Sequence, residues 1–204
     1  MSCSLEQERQ LAARGISPVA GIDEAGRGPL AGPVVAAAVI LPPGFALAGL
    51  DDSKKLTAKK REFLYAVLTA CEGVLWASAS CDHLEIDRRN ILGATHESMR
   101  RAFAKLPLRP SHVLIDGLPV RDFPCDQTAL VGGDGLSLSI AAASIIAKVE
   151  RDRIMQELDA EFPEYGFSKH KGYPTADHLA RLRLHGPCPV HRKSFSPVAQ
   201  ASLF

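Results

Sequence analysis

The segment that decides the fold of this 204-residue chain is Val19-Ala20-Gly21-Ile22-Asp23-Glu24-Ala25-Gly26-Arg27-Gly28. Its first four residues predict a buried strand, and two adjacent carboxylates, Asp23 and Glu24, stand where that strand ends. Adjacent strand residues point to opposite faces, so the two carboxylates can share one site only where the backbone turns. Gly26 and Gly28 permit such a turn and allow backbone N–H groups to approach a ligand closely. The segment therefore predicts half of an active site, against the alternative of a solvated turn that carries two surface acids.

A dinucleotide-binding loop is a second interpretation of the same glycines. That motif requires Gly-x-Gly-x-x-Gly at the start of a helix, whereas Gly26 and Gly28 are followed by Gly32, one residue too far. The residues after Gly32, Val34–Leu41, have the pattern of a buried strand rather than an amphipathic helix. The unit is therefore predicted to be a strand, a tight loop and a second strand.

The composition is that of an ordinary globular protein, with 46% hydrophobic and 23% charged residues. A formal net charge of +1 creates no overall field that attracts a polyanion, so any affinity for nucleic acid must come from local patches. Five scattered cysteines, an odd number, indicate reduced thiols in the cytoplasm. The N-terminal segment is polar, and no apolar run reaches about 18 residues, which argues against secretion and membrane insertion. We expect a cytoplasmic monomer without membrane contact.

Strands and helices alternate along the chain. Strands are predicted to begin at Val19 and to span Val34–Leu41, Val74–Ser80, His112–Ile115 and Thr128–Val131. Helices are predicted over Leu56–Cys71 with Thr57 as N-cap, Ile91–Leu106, Leu136–Phe162 and Ala176–Leu184. A hairpin followed by this alternation indicates an α/β fold with a mixed sheet flanked by helices. A shift to Gly, Pro, His and basic residues after Pro163 predicts three parts: an N-terminal segment (1–17), a main domain (18–162) and a C-terminal extension (163–204).

Two further carboxylates stand at the ends of predicted strands. Asp116 follows a buried strand, as Asp23 does, and ligands bind at such strand ends in α/β sheets. Asp134 lies in Gly132-Gly133-Asp134-Gly135, directly before the long helix. The alternatives are an Asp-Gly turn for Asp116 and an N-cap of the helix for Asp134. Together with Asp23 and Glu24, these carboxylates predict an oxygen-rich site suited to Mg²⁺ or Mn²⁺.

Basic groups near this predicted site are candidates for phosphate contacts. Ser53 and Lys54 lie at a junction between a loop and a helix, whereas Lys59–Arg61 are read as a solvated face. Tyr173, next to lysines and a histidine, can stack on a sugar or base, or can serve packing alone.

The histidines do not indicate a second kind of chemistry. His185, Cys188 and His191 have spacing that imitates a zinc site, but they offer only three ligands in a loop that contains proline, which disfavours zinc. His112, on an apolar strand, is read as structural.

The chain resembles bacterial ribonuclease HII, a type 2 ribonuclease H. The matching blocks, in the order of that family, are Gly21–Pro33, Asp52–Leu56, Leu114–Gly117, Gly133–Asp134 with Ser137–Val149, Lys171–Thr175 and His191–Phe195. The resemblance implies a ribonuclease H-like mixed five-stranded sheet in a catalytic domain over 18–162, with a C-terminal helical extension. It also implies metal-dependent cleavage of the RNA strand of RNA/DNA hybrids and at single ribonucleotides embedded in duplex DNA. Gly132 stands where many relatives carry lysine, so no cation is expected there.

The resemblance assigns roles to the candidate residues by position. Asp23, Glu24, Asp116 and Asp134 would be the metal-site carboxylates, Gly26, Arg27 and Gly28 the loop that reads the ribose, and Tyr173 the aromatic beside it. Two metal ions about 3.5–4 Å apart would then support an in-line displacement at phosphorus. The alternatives are a protein of similar fold that binds nucleic acid without cleaving it, or another metal nuclease on the same fold.

Overall fold

The computed structural model describes residues 3–201, in which a five-stranded sheet lies between two layers of helices. The strands are β1 (Val19–Ala25), β2 (Val34–Ile40), β3 (Leu75–Cys81), β4 (His112–Asp116) and β5 (Gln127–Leu130). Their order across the sheet is β3-β2-β1-β4-β5. β2 runs antiparallel to both of its neighbours, β1 and β3, whereas β4 runs parallel to both of its neighbours, β1 and β5. The predicted mixed sheet of five strands is confirmed.

The helices cover both faces of this sheet. They are α1 (Glu6–Ala13), α2 (Ala58–Ala70), α3 (His83–Ala104), α4 (Leu138–Glu161), α5 (Phe167–His170), α6 (Ala176–His185) and α7 (Ser196–Ala201). On one face, α2 and α4 pack their apolar side chains against β2. On the other face, α3 packs against β1, β2 and β4. None of the helices within residues 3–201 is long and apolar enough to cross a membrane.

Small residues allow α4 to lie very close to the centre of the sheet. A Cβ atom on Gly21 of β1 would lie 2.1 Å from the backbone carbon of Ser139, so only glycine fits there. β2 consists entirely of buried residues, with the sequence Val-Val-Ala-Ala-Ala-Val-Ile, which suits a central strand covered on both faces. This close packing fixes the position of the carboxyl end of β1.

Element boundaries agree with the sequence-based predictions for most strands and for α2, which Thr57 caps. α3 is the exception, because it begins at His83 and not at Ile91. Asp82 and Glu85 form a capping box at its start, and the helix is kinked at Asn90, whose φ of 61° is left-handed. The apolar spacing from Ile91 onward reflects only the part beyond this kink.

The C-terminal elements pack on the end of α4 and on the loop between β1 and β2. Phe167 and Cys188 share a buried cluster with Ala31 and Met155, and Leu182 and Val198 pack against Leu30. These contacts join residues of the predicted extension to the main domain, whose boundaries stay a prediction. α1, α5 and α7 were not anticipated from the sequence.

Candidate active site

Three carboxylates converge at one edge of the sheet. β1 and β4 run parallel with Ile22 opposite Ile115, so Asp23 and Asp116 follow at the same level. Asp134 reaches the same edge from a short 3₁₀ turn, Gly133–Gly135, that follows β5. One oxygen of each carboxylate lies within 4.8 Å of those of the other two. Within residues 3–201 this is the only such grouping of three or more histidine, cysteine or acidic side chains.

The turn that carries Asp134 is built on glycine and on Asp116. Gly132 adopts a left-handed conformation with φ of 68°, and the N–H of Gly133 donates to Asp116 Oδ1 at 2.7 Å. The helix that follows is capped by Ser137, whose hydroxyl accepts from the N–H of Ile140 at 3.2 Å. The alternative role of Asp134 as the cap of α4 is therefore wrong.

Glu24 lies beside the three carboxylates, not among them. β1 continues to Ala25, two residues past Asp23, so Asp23 and Glu24 alternate as strand residues do. Glu24 instead lines an adjacent cavity of 140 Å³ together with Asp116 and Arg27. Arg27 Nη1 lies 3.4 Å from Glu24 Oε1. A ligand that bridges Asp116 and Glu24 would bring the fourth carboxylate into the site.

Negative charge in this cluster is poorly compensated by the protein. Asp23 is only 3% exposed, and its pKa is raised well above the ordinary value by burial and by repulsion from Glu24 and Asp116. Burial, followed by repulsion from Asp116, also raises the pKa of Asp134. Burial raises the pKa of Glu24 against the attraction of Arg27. Buried carboxylates that repel one another are stabilised by a bound cation.

Lys54 approaches the cluster, whereas Ser53 is directed into the protein. Lys54 Nζ lies 3.3 Å from Asp134 Oδ2 while its side chain remains 75% exposed. Partial burial lowers the pKa of Lys54, but attraction to Asp134 and Asp23 raises it on balance. Ser53 is buried, and its N–H donates to the hydroxyl of Ser144 on α4 at 3.3 Å. The structure thus brings Lys54, but not Ser53, to the solvent side of the site.

The glycine loop after β1 lies directly against Tyr173. Gly26 has a φ of 104°, a conformation that favours glycine. A Cβ atom on Gly28 would lie 3.4 Å from Cε1 of the Tyr173 ring. Arg27 and Gly28 are exposed, and Tyr173 is 42% exposed. The loop and the aromatic ring form one surface next to the carboxylates.

The histidines of the zinc-like spacing are either hydrogen-bonded in the interior or exposed. The Nδ1 atom of His191 accepts from the N–H of Cys188 at 3.0 Å, and its Nε2 lies 3.0 Å from Nε2 of His178. His185 is exposed. Because both ring nitrogens of His191 are occupied, the residues do not form a metal site. His112 Nε2 lies 2.9 Å from the Thr128 hydroxyl, which agrees with the structural role predicted for this histidine.

Two buried arginines were missed by the sequence reasoning. Arg151 and Arg192 are 1% and 0% exposed, and both contact the glycine loop. A signal existed for Arg151, since it stands at helical spacing between the buried residues Ala147 and Met155 of α4. No local signal distinguished Arg192 from its exposed neighbour Lys193.

This arrangement can bind a hard divalent cation next to a surface for a phosphorylated ligand. A family model described as Ribonuclease HII matches residues 20–198. The chain belongs to the ribonuclease HII family.

Individual relatives of the chain support this family assignment. A protein named Ribonuclease HII from Moorella thermoacetica is 54% identical over 188 residues, which cover 92% of this chain and 91% of the relative. The solved structure of ribonuclease H2 from Pyrococcus horikoshii OT3 has a TM-score of 0.76 at 27% identity and covers 91% of this chain and 97% of its own. Bst-RNase HIII in complex with Mn²⁺ shares the fold, with a TM-score of 0.70 at 21% identity over 95% of this chain and 72% of its own. The fold expected from the sequence is thereby confirmed.

Membership in this family identifies the protein as an endonuclease of the ribonuclease H type. It acts on nucleic acid and hydrolyses the RNA strand, and its carboxylate cluster is suited to a divalent cation.

Proposed function

We propose that this enzyme cleaves the RNA strand of RNA/DNA hybrids and the 5′ side of single ribonucleotides embedded in duplex DNA, leaving 3′-hydroxyl and 5′-phosphate ends. The observation that carries the proposal is the position of the carboxylate cluster beside the exposed loop of Gly26, Arg27 and Gly28 and the ring of Tyr173. A phosphate at the carboxylates would place the neighbouring sugar against the loop.

The carboxylates fit a divalent metal, Mg²⁺ or Mn²⁺. Asp23, Asp116 and Asp134 would hold it, with Glu24 completing the set from the adjacent cavity. The fit is supported by Asp23, which is buried and is repelled by Glu24 and Asp116. Within residues 3–201, no cationic side chain lies at contact distance from the Asp23 carboxylate. Two such ions, when bound, supply a nucleophilic water at neutral pH and stabilise the charge on the leaving oxygen.

Substrate contacts are assigned to the loop, to Lys54 and to Tyr173. The 2′-hydroxyl distinguishes RNA from DNA, and backbone groups of a glycine loop can reach it where a side chain would intrude. Lys54 is placed to contact a phosphate, because its ammonium group is exposed next to Asp134. The ring of Tyr173 would stack on the sugar or base beside the cleaved bond. We assign Ser53, which is buried, to support of the turn that carries Lys54.

A protein that only binds nucleic acid is the competing function. The carboxylate cluster argues against it, since several buried acids facing a phosphate weaken binding unless a cation intervenes. Another metal nuclease on the same fold is disfavoured by the family match over residues 20–198.

The test compares three labelled duplexes of one sequence: DNA with a single ribonucleotide, all DNA, and an RNA/DNA hybrid, with an all-RNA duplex as control. We expect cleavage of the first and third with Mg²⁺ or Mn²⁺, a cut on the 5′ side of the ribonucleotide, and no cleavage with EDTA. Binding of these duplexes without cleavage in either metal would refute the proposal.

A further inference from the structure

Two positive charges are buried beneath the loop between β1 and β2, and no acidic side chain among residues 3–201 forms an ion pair with them. All guanidinium hydrogen bonds of Arg151 and Arg192 within the described part of the chain end on backbone carbonyls. The Arg192 guanidinium also lies 5.1 Å from the centre of the Phe195 ring. Burial lowers the pKa of Arg192 to about 9, with a contribution from repulsion by Arg151, and lowers that of Arg151 to about 10. Burying two cations without counter-ions is costly, so their position calls for an explanation.

The two arginines form hydrogen bonds with most carbonyl groups of the loop between β1 and β2. Arg192 Nη2 donates to the carbonyl oxygen of Gly26 at 2.7 Å, and Arg151 Nε donates to that of Pro33 at 2.9 Å. Of the eight carbonyls in 26–33, six accept a hydrogen bond from Arg151 or Arg192, either from the guanidinium or from the N–H of Arg192. They belong to Gly26, Arg27, Leu30, Ala31, Gly32 and Pro33. The carbonyl side of the loop therefore faces inward.

The opposite side of the loop presents hydrogen-bond donors. Within residues 3–201, no protein group accepts from the N–H of Arg27 or Gly28, and both residues are exposed. A loop whose carbonyls are bound from the inside while the N–H groups of Arg27 and Gly28 stay free of protein partners favours ligand atoms that accept hydrogen bonds. Ribose 2′-oxygens and phosphate oxygens are such atoms, and the buried cations favour them further.

Arg151 also links the loop to the segment that bears Tyr173. Its Nη2 donates to the carbonyl of Lys171 at 3.0 Å as well as to that of Ala31 at 3.3 Å. The N–H of Leu30 donates to the carbonyl of Gly172 at 2.7 Å, and a Cβ atom on Gly172 would lie 2.8 Å from the Ala31 oxygen. The loop and the Tyr173 segment thus behave as one body held around the Arg151 guanidinium.

We propose that Arg151 and Arg192 are positioning residues for ribonucleotide recognition, which keep the donors of the Gly26–Gly28 loop turned outward and hold that loop at a set distance from Tyr173. The proposal rests on the proposed function, in which this loop reads the 2′-hydroxyl. It assigns selectivity for a single ribonucleotide to two side chains that do not contact the substrate.

The test uses Arg151→Lys and Arg192→Lys, which keep a positive charge and an alkyl stem but lose the forked donor geometry. Arg153→Lys is the matched control, because Arg153 lies on the same helix, is half exposed and pairs with Glu62. In each protein, kcat and KM are measured on the single-ribonucleotide duplex and on the continuous hybrid. Amide hydrogen exchange without substrate is measured at Leu30 and Gly32, whose N–H groups hold the loop to the C-terminal segment.

In the two lysine variants we expect amide exchange at Leu30 and Gly32 to be at least tenfold faster than in wild type, with unchanged exchange in β1. We also expect kcat/KM on the single-ribonucleotide duplex to fall at least tenfold, with a smaller loss on the continuous hybrid. The control should match wild type. If Arg192→Lys does not fold, the proposal is tested with Arg151→Lys alone. If neither lysine variant folds, both are replaced by Arg151→Gln, whose amide keeps two hydrogen-bond donors. Folded variants with a wild-type ratio of kcat/KM between the two substrates would overturn the proposal.

The proposed function and this inference fail separately. A wild-type protein that binds but does not cleave would refute the former alone. The variants would then be compared by their affinity for the single-ribonucleotide duplex relative to all-DNA duplex, and an unchanged ratio would refute the positioning role.

Discussion

Two buried charged regions of this molecule are built on opposite rules. At the sheet edge, Asp23, Asp116 and Asp134 repel one another, and one exposed lysine is the nearest compensation for the group. Beneath the glycine loop, Arg151 and Arg192 are fully buried and have their donors distributed over backbone carbonyls. Although each aspartate accepts a hydrogen bond, the first region is unsatisfied in charge and is suited to bind a cation, whereas the second is satisfied by carbonyl dipoles and holds a neighbouring surface in place. Burial alone therefore does not identify a binding site, and the electrostatic compensation of the buried groups does.

The sharpest way to break this comparison is to remove one charge from the unsatisfied region. Asp23→Asn and Asp116→Asn should each lower the cleavage rate by about a thousandfold or more, because a metal site loses a ligand charge. The melting temperature should stay the same or rise, since a repulsive buried charge is removed. Rates in Mg²⁺ and Mn²⁺ and melting curves test this, with Asp177→Asn on α6 as control. Full activity of Asp116→Asn would remove Asp116 from the catalytic set.

Asp134 offers a second test of the same region. Because Ser137 caps α4, Asp134→Asn should not weaken the helix, and its loss of cleavage rate should approach that of Asp23→Asn. Cleavage assays and melting curves measure the two effects separately. A wild-type rate would show that the cluster functions with two aspartates and Glu24.

Removal of the ring of Tyr173 tests the surface that the satisfied region supports. Tyr173→Ala should slow cleavage at a single ribonucleotide by roughly ten- to a hundredfold, which corresponds to a stacking loss of ~1–3 kcal/mol. The loss on a continuous hybrid should be smaller, because many registers are productive there. Stability should change little, since the hydrogen bonds of Tyr173 to His170, Thr175 and His178 use its backbone. Tyr173→Phe serves as control, and equal losses on both substrates with a lower melting temperature would assign Tyr173 to the fold.

The buried histidines next to the arginines predict how stability depends on pH. His191 Nδ1 accepts from Cys188, so its proton lies on Nε2 and is donated to His178. Burial lowers the pKa of His191 to about 4, from 6.5 in the unfolded chain, and repulsion from His178 adds to this shift. The unfolded state therefore binds a proton near pH 6.5, and the folded state does not until about pH 4. This contribution to the free energy of unfolding is full above pH 6.5 and is lost as the pH falls to 4, by at most about 3 kcal/mol.

Denaturant unfolding at several pH values between 4 and 7 measures this loss, and His191→Gln serves as the reference that keeps a donor toward His178 without titrating. The wild-type free energy of unfolding should fall more steeply with acid than that of the variant. Parallel curves would show that His191 is not the group that titrates.

The smallest expected effect concerns Lys54. Lys54→Ala should weaken binding to hybrids of any sequence and reduce the salt dependence of the affinity by about one unit of log–log slope. Binding is measured in the Asp23→Asn background so that substrate is not cleaved, with Lys55→Ala as control, because Lys55 pairs with Asp51. An unchanged slope for Lys54→Ala would show that Lys54 is a solvated surface residue that does not contact a phosphate.

Local sequence patterns were sufficient where the physics is local. The run Val34–Ile40 is apolar throughout and forms a fully buried strand, and Thr57 caps the helix after it. α3 shows the limit of this reasoning, since its first turns carry charged residues and its start is marked by the capping box of Asp82 and Glu85. The kink at Asn90 then shifts the apolar spacing, so periodicity could detect only the second half.

The sequence by itself determined the strands, the acids at their ends and the glycines that follow, because burial, strand alternation and backbone freedom depend on neighbouring residues. Only the tertiary structure decided that Glu24 stands beside the other carboxylates, that Ser137 and not Asp134 caps α4, and that Ser53 is buried. The same holds for Arg151 and Arg192, whose carbonyl partners lie as far as 120 and 166 residues away in the chain. A charged side chain that is satisfied by distant backbone has the same sequence signature as one in water, and only the folded contacts distinguish the two.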